Sequence, residues 1–545
     1  MRAVILFMMF SINLVVAQSY QFDWTRQGGG AEDDELYGLT TTSDGHYVIA
    51  GNFTGVFSLG DTVLNSAGEA DIYVAKYTRE AELVWAKRFG NELYDMALSV
   101  ESDKNGNIYA AGFVVSENNK NDLDSDAWVI ALSADGEELW TEQITTAQGD
   151  LIIDITVDAD DVLYMTGEYA GAGEVGGYRL EEFGETDMFL AAYSLADRRF
   201  EWVEAAGGSG FDSGISVETT PDRNLIWAGY FYEDSDMFGQ QLTGEGFEDI
   251  FVINLNNDAS VNWMVTAGGE AEDVANSIAV DQSGNVLVAG SFEGFAEFDG
   301  VAVNGSGGSD IYLAKYNSHG SIQWVRQAGG SEDDEAHAVA LDEYGNSYLT
   351  GAFQESAWFD NTELVSAGED DLFFARYDAN GSLGSVDSEG GEQVDEGTQI
   401  AIDAHGATVL AGVFESEADF GDTTLVSGGA LDIFVSRLSA SDITGLGSGI
   451  ETVQDFELHE NYPNPFNPST TIRFSLLRPA QVRLAVYNIL GEEVKELVND
   501  NLGPGSFNQK WLGKNNAGSS VVSGMYIYQL EVEGNMVAKK MLLLK

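Results

Sequence analysis

The chain contains no cysteine in its 545 residues, which excludes disulfides, cysteine-ligated zinc and thiol nucleophiles. Proline is nearly as scarce: there are 6, and all but one fall after residue 460. The long first part of the chain therefore lacks the commonest strand breaker, while 63 glycines supply turns. Positive charge is also short, with 25 Lys+Arg against 90 Asp+Glu and a formal net charge of -65. A surface of that sign repels phosphate backbones and anionic lipid, so nucleic-acid binding is excluded. Cations, basic or neutral partners, or plain solubility in salty water remain. Residues 453–545 hold 9 Lys+Arg and 9 Asp+Glu, so the whole acidic excess belongs to residues 1–452. Past the N-terminus, no apolar run is long enough to cross a bilayer.

What is present points to an ordered all-β protein. Hydrophobic residues make up 44% and aromatics 11%, too much apolar surface for a disordered acidic chain. Met1-Arg2, the apolar run Ala3 to Val16 and the small residues Val15 and Ala17 read as a signal peptide over residues 1–17, which predicts export of the mature chain.

One pattern then repeats. Trp24, Trp85, Trp140, Trp202, Trp263 and Trp324 are separated by 61, 55, 62, 61 and 61 residues, and the next position falls on Ser385. Gly51, Gly112, Gly167, Gly229, Gly290, Gly351 and Gly412 keep the same intervals, as do Asp71, Asp126, Asp187, Asp249, Asp310, Asp371 and Asp432. Each unit offers four short strands: one before a turn, one ending at the glycine, one after the aspartate, and the tryptophan strand. Four strands per unit, seven units and no helical period predict a seven-bladed β-propeller over residues 18–438. The chain enters on a lone tryptophan strand and its last unit lacks one, so the N-terminal strand is expected to complete the final blade and remove two open edges. In that closure Trp24 is expected to take the part that Ser385 cannot. Burying an indole removes ~150 to 250 Å² from water, worth ~4 to 6 kcal/mol gross, so packing alone accounts for the tryptophan column. The turn-then-tryptophan pattern of Tyr316 to Trp324 is similar to the tryptophan-docking repeats of quinoprotein propellers. The Val280-Asp281-Gln-Ser-Gly284-Asn285 turn more closely resembles short bacterial seven-bladed propeller repeats, which implies a scaffold.

A further aspartate column, Asp34, Asp95, Asp150, Asp212, Asp273, Asp334 and Asp395, stands just before the innermost strands. Its members either circle one mouth of a central channel and hold a cation such as calcium, or cap their own loops by accepting backbone N–H bonds. A motif present in every unit builds the unit more readily than it builds one asymmetric site, so capping is the expected role and no cofactor is assigned.

The chain ends differently. Residues 439–452, with Gly445, Gly447 and Gly449, read as a linker. Asn461-Tyr462-Pro463-Asn464-Pro465-Phe466 opens the last region, Ser523-Gly524-Met-Tyr526 lies within it, and Lys539-Lys540-Met-Leu-Leu-Leu-Lys545 closes it. Period-2 strands between glycine turns predict a small immunoglobulin-like β-sandwich over residues 453–545. The order of these motifs resembles the type A C-terminal sorting domain of the type IX secretion system. That resemblance implies a secretion address with Tyr462, Pro463, Asn464, Pro465, Phe466, Gly524, Tyr526, Lys539, Lys540 and Lys545 as its signature. It further implies the type IX machinery as partner, and release or display at the outer-membrane surface by way of the periplasm.

Chemistry in a repeat scaffold should lie where the repeat lapses. His46, His319, His337, His405 and His459 form no catalytic or metal-binding spacing, and Ser133-Ala-Asp135-Gly136 misses a sialidase-type Asp box by one place. His337 is expected at the surface or between blades. Trp128, Trp227 and Trp358 lie off the column and are read as core before sugar-stacking platforms. The sequence therefore predicts a secreted or surface-attached propeller scaffold, without assigned catalysis, that binds a protein or glycan through its loop face; the alternative is an extracellular polysaccharide hydrolase or lyase.

Overall fold

The structure, a computed structural model, describes residues 19–117, 123–441, 456–458, 461, 463–464, 466–476, 480–488, 493–502, 505–516, 518–532 and 535–544. The predicted signal peptide, most of the linker, and His459, Tyr462, Pro465 and Lys545 lie outside them. Two compact units divide after Ile443. All regular structure in the described residues of both is β-strand.

The first unit is built from one four-strand theme. After an entering strand, β1 (Ser19–Gly29), come β2 (Asp34–Thr41), β3 (Tyr47–Leu59), β4 (Thr62–Tyr77) and β5 (Leu83–Phe89), each of the four antiparallel to its neighbour. The series recurs as Asp273–Val280, Val286–Phe298, Val301–Tyr316 and Ile322–Gly329. The turns explain the spacing. Asp281 accepts N–H bonds from Ser283 and Asn285 at 2.9 Å, while Gly284 takes a φ of 75°, a left-handed conformation that glycine reaches without a Cβ clash. The middle pair runs beyond the core as an extended hairpin, in which Ala296 faces Val303 and Phe298 faces Val301.

Neighbouring units meet along their inner strands. Asp34–Thr41 touches Asp95–Ser102, which touches Asp150–Val157; the series continues to Asp395–Ile402, which touches Asp34–Thr41 again. It returns upon itself. Apolar side chains of adjacent units then fill the space between sheets, as where Leu287 and Leu313 pack with Leu349, Phe353 and Phe373.

The tryptophans fasten each unit to the next. Trp263 donates from Nε1 to the Ser318 carbonyl at 3.0 Å, and Trp202 donates to Asn257 at 2.8 Å, both on the following unit's turn. A Cβ on Gly320 would lie 2.8 Å from the Trp263 ring, so the close approach of that turn requires glycine. β1 pairs antiparallel with Thr423–Ser441, from Ser19 opposite Ser441 to Gly28 opposite Ile433. The first and last strands of the series thus share one sheet. One expectation needs correction. Trp24 sits opposite Arg437 and donates to the Arg79 carbonyl at 3.2 Å, so it fastens the last unit to the first. Ser385 belongs to a different strand, opposite Arg376, and no indole replaces it.

The third unit carries a small extra hairpin, Gly173–Val175 with Tyr178–Leu180, turning at Gly176 and Gly177. Trp128 and Trp227 are core, at 5% and 0% exposure, whereas Trp358 is 48% exposed on an extended hairpin.

The second compact unit contains a three-stranded sheet, with Thr470–Leu476 between Phe456–Leu458 and Gly505–Trp511. A four-stranded sheet runs Glu493–Leu502, Ala480–Asn488, Gly524–Val532 and Asn535–Leu543. Both sheets contribute to one core around Ile472, Phe474, Val486, Trp511 and Tyr528.

Candidate functional site

The inner strands line a channel of about 490 Å³, and its wall is set by one local device. In each inner strand the ladder slips by one residue at the third place after the column aspartate, as between Ala275 and Ser277 or Ala336 and Ala338. A bulge of this kind re-aims the extra side chain. The residues at that place, Tyr37, Leu98, Ile153, Ile215, Asn276, His337 and Thr398, all line the channel. They are also where the repeat is least regular. One side of the wall is aliphatic and the other polar.

Three carboxyls stand on the aliphatic side. Asp154 is held by Ser99 Oγ at 2.9 Å, Ser216 Oγ at 3.1 Å, and the N–H groups of Ile155 and Val217 at 2.9 Å. Burial pushes it up to about 6 against the pull of those bonds. Glu101 accepts from the Thr40 hydroxyl at 3.0 Å and Glu218 from the Thr219 N–H at 2.8 Å. Burial, aided by the neighbouring acids, carries both up to about 7. On the polar side the His337 imidazole lies 3.7 Å from Glu335. Its contact with Glu335 and the charge of Glu396 raise its pKa against the opposing effect of burial. His337 is thus a channel residue, not a surface or inter-unit one.

The column aspartates lie elsewhere. Asp34, Asp95, Asp150, Asp212, Asp273, Asp334 and Asp395 are all buried, and none lines the channel. Asp273, Asp334 and Asp395 accept the N–H of Gly269, Gly330 and Gly391 at 2.7, 2.6 and 2.6 Å; Asp95, Asp150 and Asp212 do the same with Asn91, Thr146 and Gly208. The second aspartate column closes its loops likewise, with Ser306 donating to Asp310 and Glu245 to Asp249 at 2.6 and 2.8 Å. The two columns face each other across a glycine: a Cβ on Gly268 would lie 2.2 Å from Asp249 and 3.1 Å from Asp273. Among the described residues no group of three or more His, Asp or Glu stands at metal-ligating distance.

In the C-terminal unit the signature residues converge although they are far apart in sequence. The Phe466 N–H donates to the Leu542 carbonyl at 2.9 Å, and the Leu544 N–H returns a bond to Phe466 at 3.0 Å. Asn464 Oδ1 accepts the Leu542 N–H at 2.8 Å, and the Pro463 carbonyl accepts the Thr470 hydroxyl at 2.9 Å. Phe466 and Tyr526 pack on Trp511 with ring centroids 5.5 and 5.1 Å away. Gly524 opens the Tyr526 strand, which pairs with the strand carrying Lys539 and the exposed Lys540. The proline-rich lead-in is therefore laid along the terminal strand, a juxtaposition that no spacing in the sequence announces.

Family models match a part of each region. A β-propeller repeat model matches residues 323–352, and a secretion system C-terminal sorting domain model matches residues 460–544. The chain is 20% identical over 498 residues to an uncharacterized WD repeat-containing protein of Acanthamoeba polyphaga mimivirus, covering 72% of this chain and 36% of that one. It is 23% identical over 412 residues to regulatory protein FlaEY of Caulobacter vibrioides, covering 67% and 41%. The chain thus spans well under half the length of these relatives. Among solved structures it is similar to polysaccharide lyase Uly1, with a TM-score of 0.40 and 8% identity over 78% of this chain and 95% of that one. No helix among the described residues is long and apolar enough to cross a membrane. The chain is an all-β protein that carries a β-propeller repeat and a type IX secretion system C-terminal sorting domain, and it is secreted or displayed at the cell surface.

Proposed function

We propose that this protein is a surface scaffold: a seven-bladed propeller over residues 18–438, with β1 completing the last blade, that binds a protein or glycan partner and is followed by an immunoglobulin-like sorting sandwich. The observation that carries the binding reading is the division of labour among the carboxyls. The column aspartates are buried, and six of the seven, Asp95, Asp150, Asp212, Asp273, Asp334 and Asp395, accept a backbone N–H in their own loops, whereas the positions that vary from unit to unit face the channel. Variable residues on a regular frame are how repeat scaffolds carry specificity. For the column aspartates the proposed part is loop capping with no cofactor; calcium is the alternative, and a rise in melting temperature with millimolar calcium would favour it.

The enzymatic alternative rests on Glu101, Asp154 and Glu218, three acids with raised pKa in one channel, as a polysaccharide hydrolase or lyase would require. The bonds that tie Asp154 to strands on both sides favour a structural part for it.

Screening the purified chain on a glycan array, with product release assayed in parallel, separates the readings. Retention of a glycan or of a defined surface protein without bond cleavage supports the scaffold. Reducing ends or unsaturated products that vanish in E218Q support the enzyme and sink the scaffold. A chain truncated from Val453 should remain in the periplasm; its appearance outside the cell would remove the sorting role.

A further inference from the structure

Taken in ring order, the inward residues of the channel fall into two arcs. Tyr37, Leu98, Ile153 and Ile215 follow one another on touching inner strands, and Asn276, His337 and Thr398 complete the circle. Two of the three polar side chains are turned into the wall. Asn276 donates from Nδ2 to the Ala336 carbonyl at 3.0 Å and Thr398 donates to the Leu36 carbonyl at 2.8 Å, each on the next inner strand.

Charge in the channel is one-sided. Glu101, Asp154, Glu218, Glu335 and Glu396 line it, and among the described residues that do so there is no Lys or Arg. Four of the five are answered from within: Glu101, Asp154 and Glu218 accept hydrogen bonds from the wall, and Glu335 faces the His337 imidazole at 3.7 Å. Glu396 is different. Among the described residues none donates a hydrogen bond to its carboxylate; only charge reaches it, with His337 attracting and Asp370, Glu335 and Glu35 repelling. Burial, together with those acids, raises its pKa against the pull of His337. The apolar arc begins beside it. The strand of Glu396, Asp395–Ile402, touches β2, and the Glu396 charge reaches the Tyr37 hydroxyl there. Leu98, Ile153 and Ile215 then carry an aliphatic surface onward from the Tyr37 ring. A carboxylate, an aromatic ring and an aliphatic wall thus succeed one another around one cavity of about 490 Å³.

We propose that the channel binds a primary alkylammonium group, with its nitrogen on Glu396 beside Tyr37 and its alkyl stem along Leu98 and Ile153. The site rests on the scaffold reading and gives its partner a chemistry: the side chain of a lysine that a bound protein inserts, or a free aliphatic amine. The carboxylate and the neighbouring ring select a positive head group, and the aliphatic arc selects a stem over a bare ion. A neutral glycan in the channel would leave Glu396 without a counter-charge.

Hexylamine serves as the probe, with 1-hexanol as its neutral counterpart, each titrated calorimetrically into the full chain at about 0.15 M salt, where surface charge is screened. Hexylamine should bind at least about 10-fold more tightly than 1-hexanol, and E396Q should erase that preference while keeping the parent's urea midpoint. E363Q, which removes a carboxyl from an exposed hairpin, should leave the preference unchanged. Nα-acetyl-lysine methylamide and cadaverine distinguish the two sources, the tighter binder assigning the ammonium to a protein lysine or to a free amine. Absence of hexylamine binding to the parent, equal binding of hexylamine and 1-hexanol, or the same loss in E363Q as in E396Q would overturn the proposal. Should E396Q fail to fold, I153K decides: an ammonium supplied within the channel should abolish hexylamine binding, and undiminished binding refutes the site. Retention of a glycan or surface protein by a parent that does not bind hexylamine removes this site alone; a parent that binds hexylamine and yet releases cleaved glycan keeps the site and loses the scaffold.

Discussion

Replacing Asp273 by asparagine should stabilise this protein in mild alkali and do much less in mild acid. Asp273 is fully buried and accepts the Gly269 N–H at 2.7 Å; burial and the nearby charge of Asp249 push its pKa up to about 8. The folded state therefore holds a proton that the unfolded chain, with an ordinary aspartate, has released. Stability linked to this group is present at low pH and is lost as pH rises from about 4 through about 8. Each tenfold difference in acidity between the folded and unfolded carboxyl is worth about 1.4 kcal/mol, which makes about 6 kcal/mol an upper bound; allowing for relaxation, about 1 to 3 kcal/mol is the working figure. Asparagine keeps an oxygen for Gly269 and turns an N–H₂ toward Asp249, exchanging a repulsion for a hydrogen bond. Urea unfolding followed by tryptophan fluorescence at about pH 8 and about pH 5 reads the difference. A D273N protein destabilised equally at both pH values would refute the reasoning, because it would mean that the native carboxylate is ionised and welcome.

Trp263→Ala should cost about 3 to 5 kcal/mol in the same assay, since it removes an inter-unit contact and the bond to Ser318; a loss under about 1 kcal/mol would deny the column its fastening role. Asp154→Ala strips four hydrogen bonds from the channel wall and should destabilise by about 2 to 4 kcal/mol, whereas Asp154→Asn should recover part of it. Deleting residues 19–29 exposes the edge of Thr423–Ser441 and should yield oligomers in sedimentation; a monodisperse, fully stable product would contradict the closing role of β1.

The frame is legible because its determinants are local. Asp281 and Gly284 announce a turn from four residues, and alternation announces the strands around it. The pairing of β1 with Thr423–Ser441 is legible from phase alone, since one strand is surplus at the start and one wanting at the end. The channel wall is not. A strand's alternation assigns His337 a face at the surface or between units, and the bulge that turns it inward has no residue signature: Asn276, His337 and Thr398 share the place without sharing chemistry. The surroundings of Ser385 are half legible. The missing tryptophan stands in the register, but what covers Tyr348 in its stead is the Arg376 guanidinium and Tyr20, the latter 365 positions from Ser385 in the chain and brought there by sheet pairing. Trp24 does not fill that gap, because its strand pairs with Thr423–Ser441 whereas the Ser385 strand pairs with Thr362–Tyr377, so the two positions belong to different units.

A ring whose first strand is held by its last cannot be finished early. Ser19 must wait for Ser441, and bringing such distant points together costs about 5 kcal/mol of chain entropy that no nearby contact offsets. During synthesis the growing series of sheets keeps two unpaired flanks until that last pairing forms. Everything needed to shut the ring has been made before residue 453, so the circle can be whole while its address label is still being written.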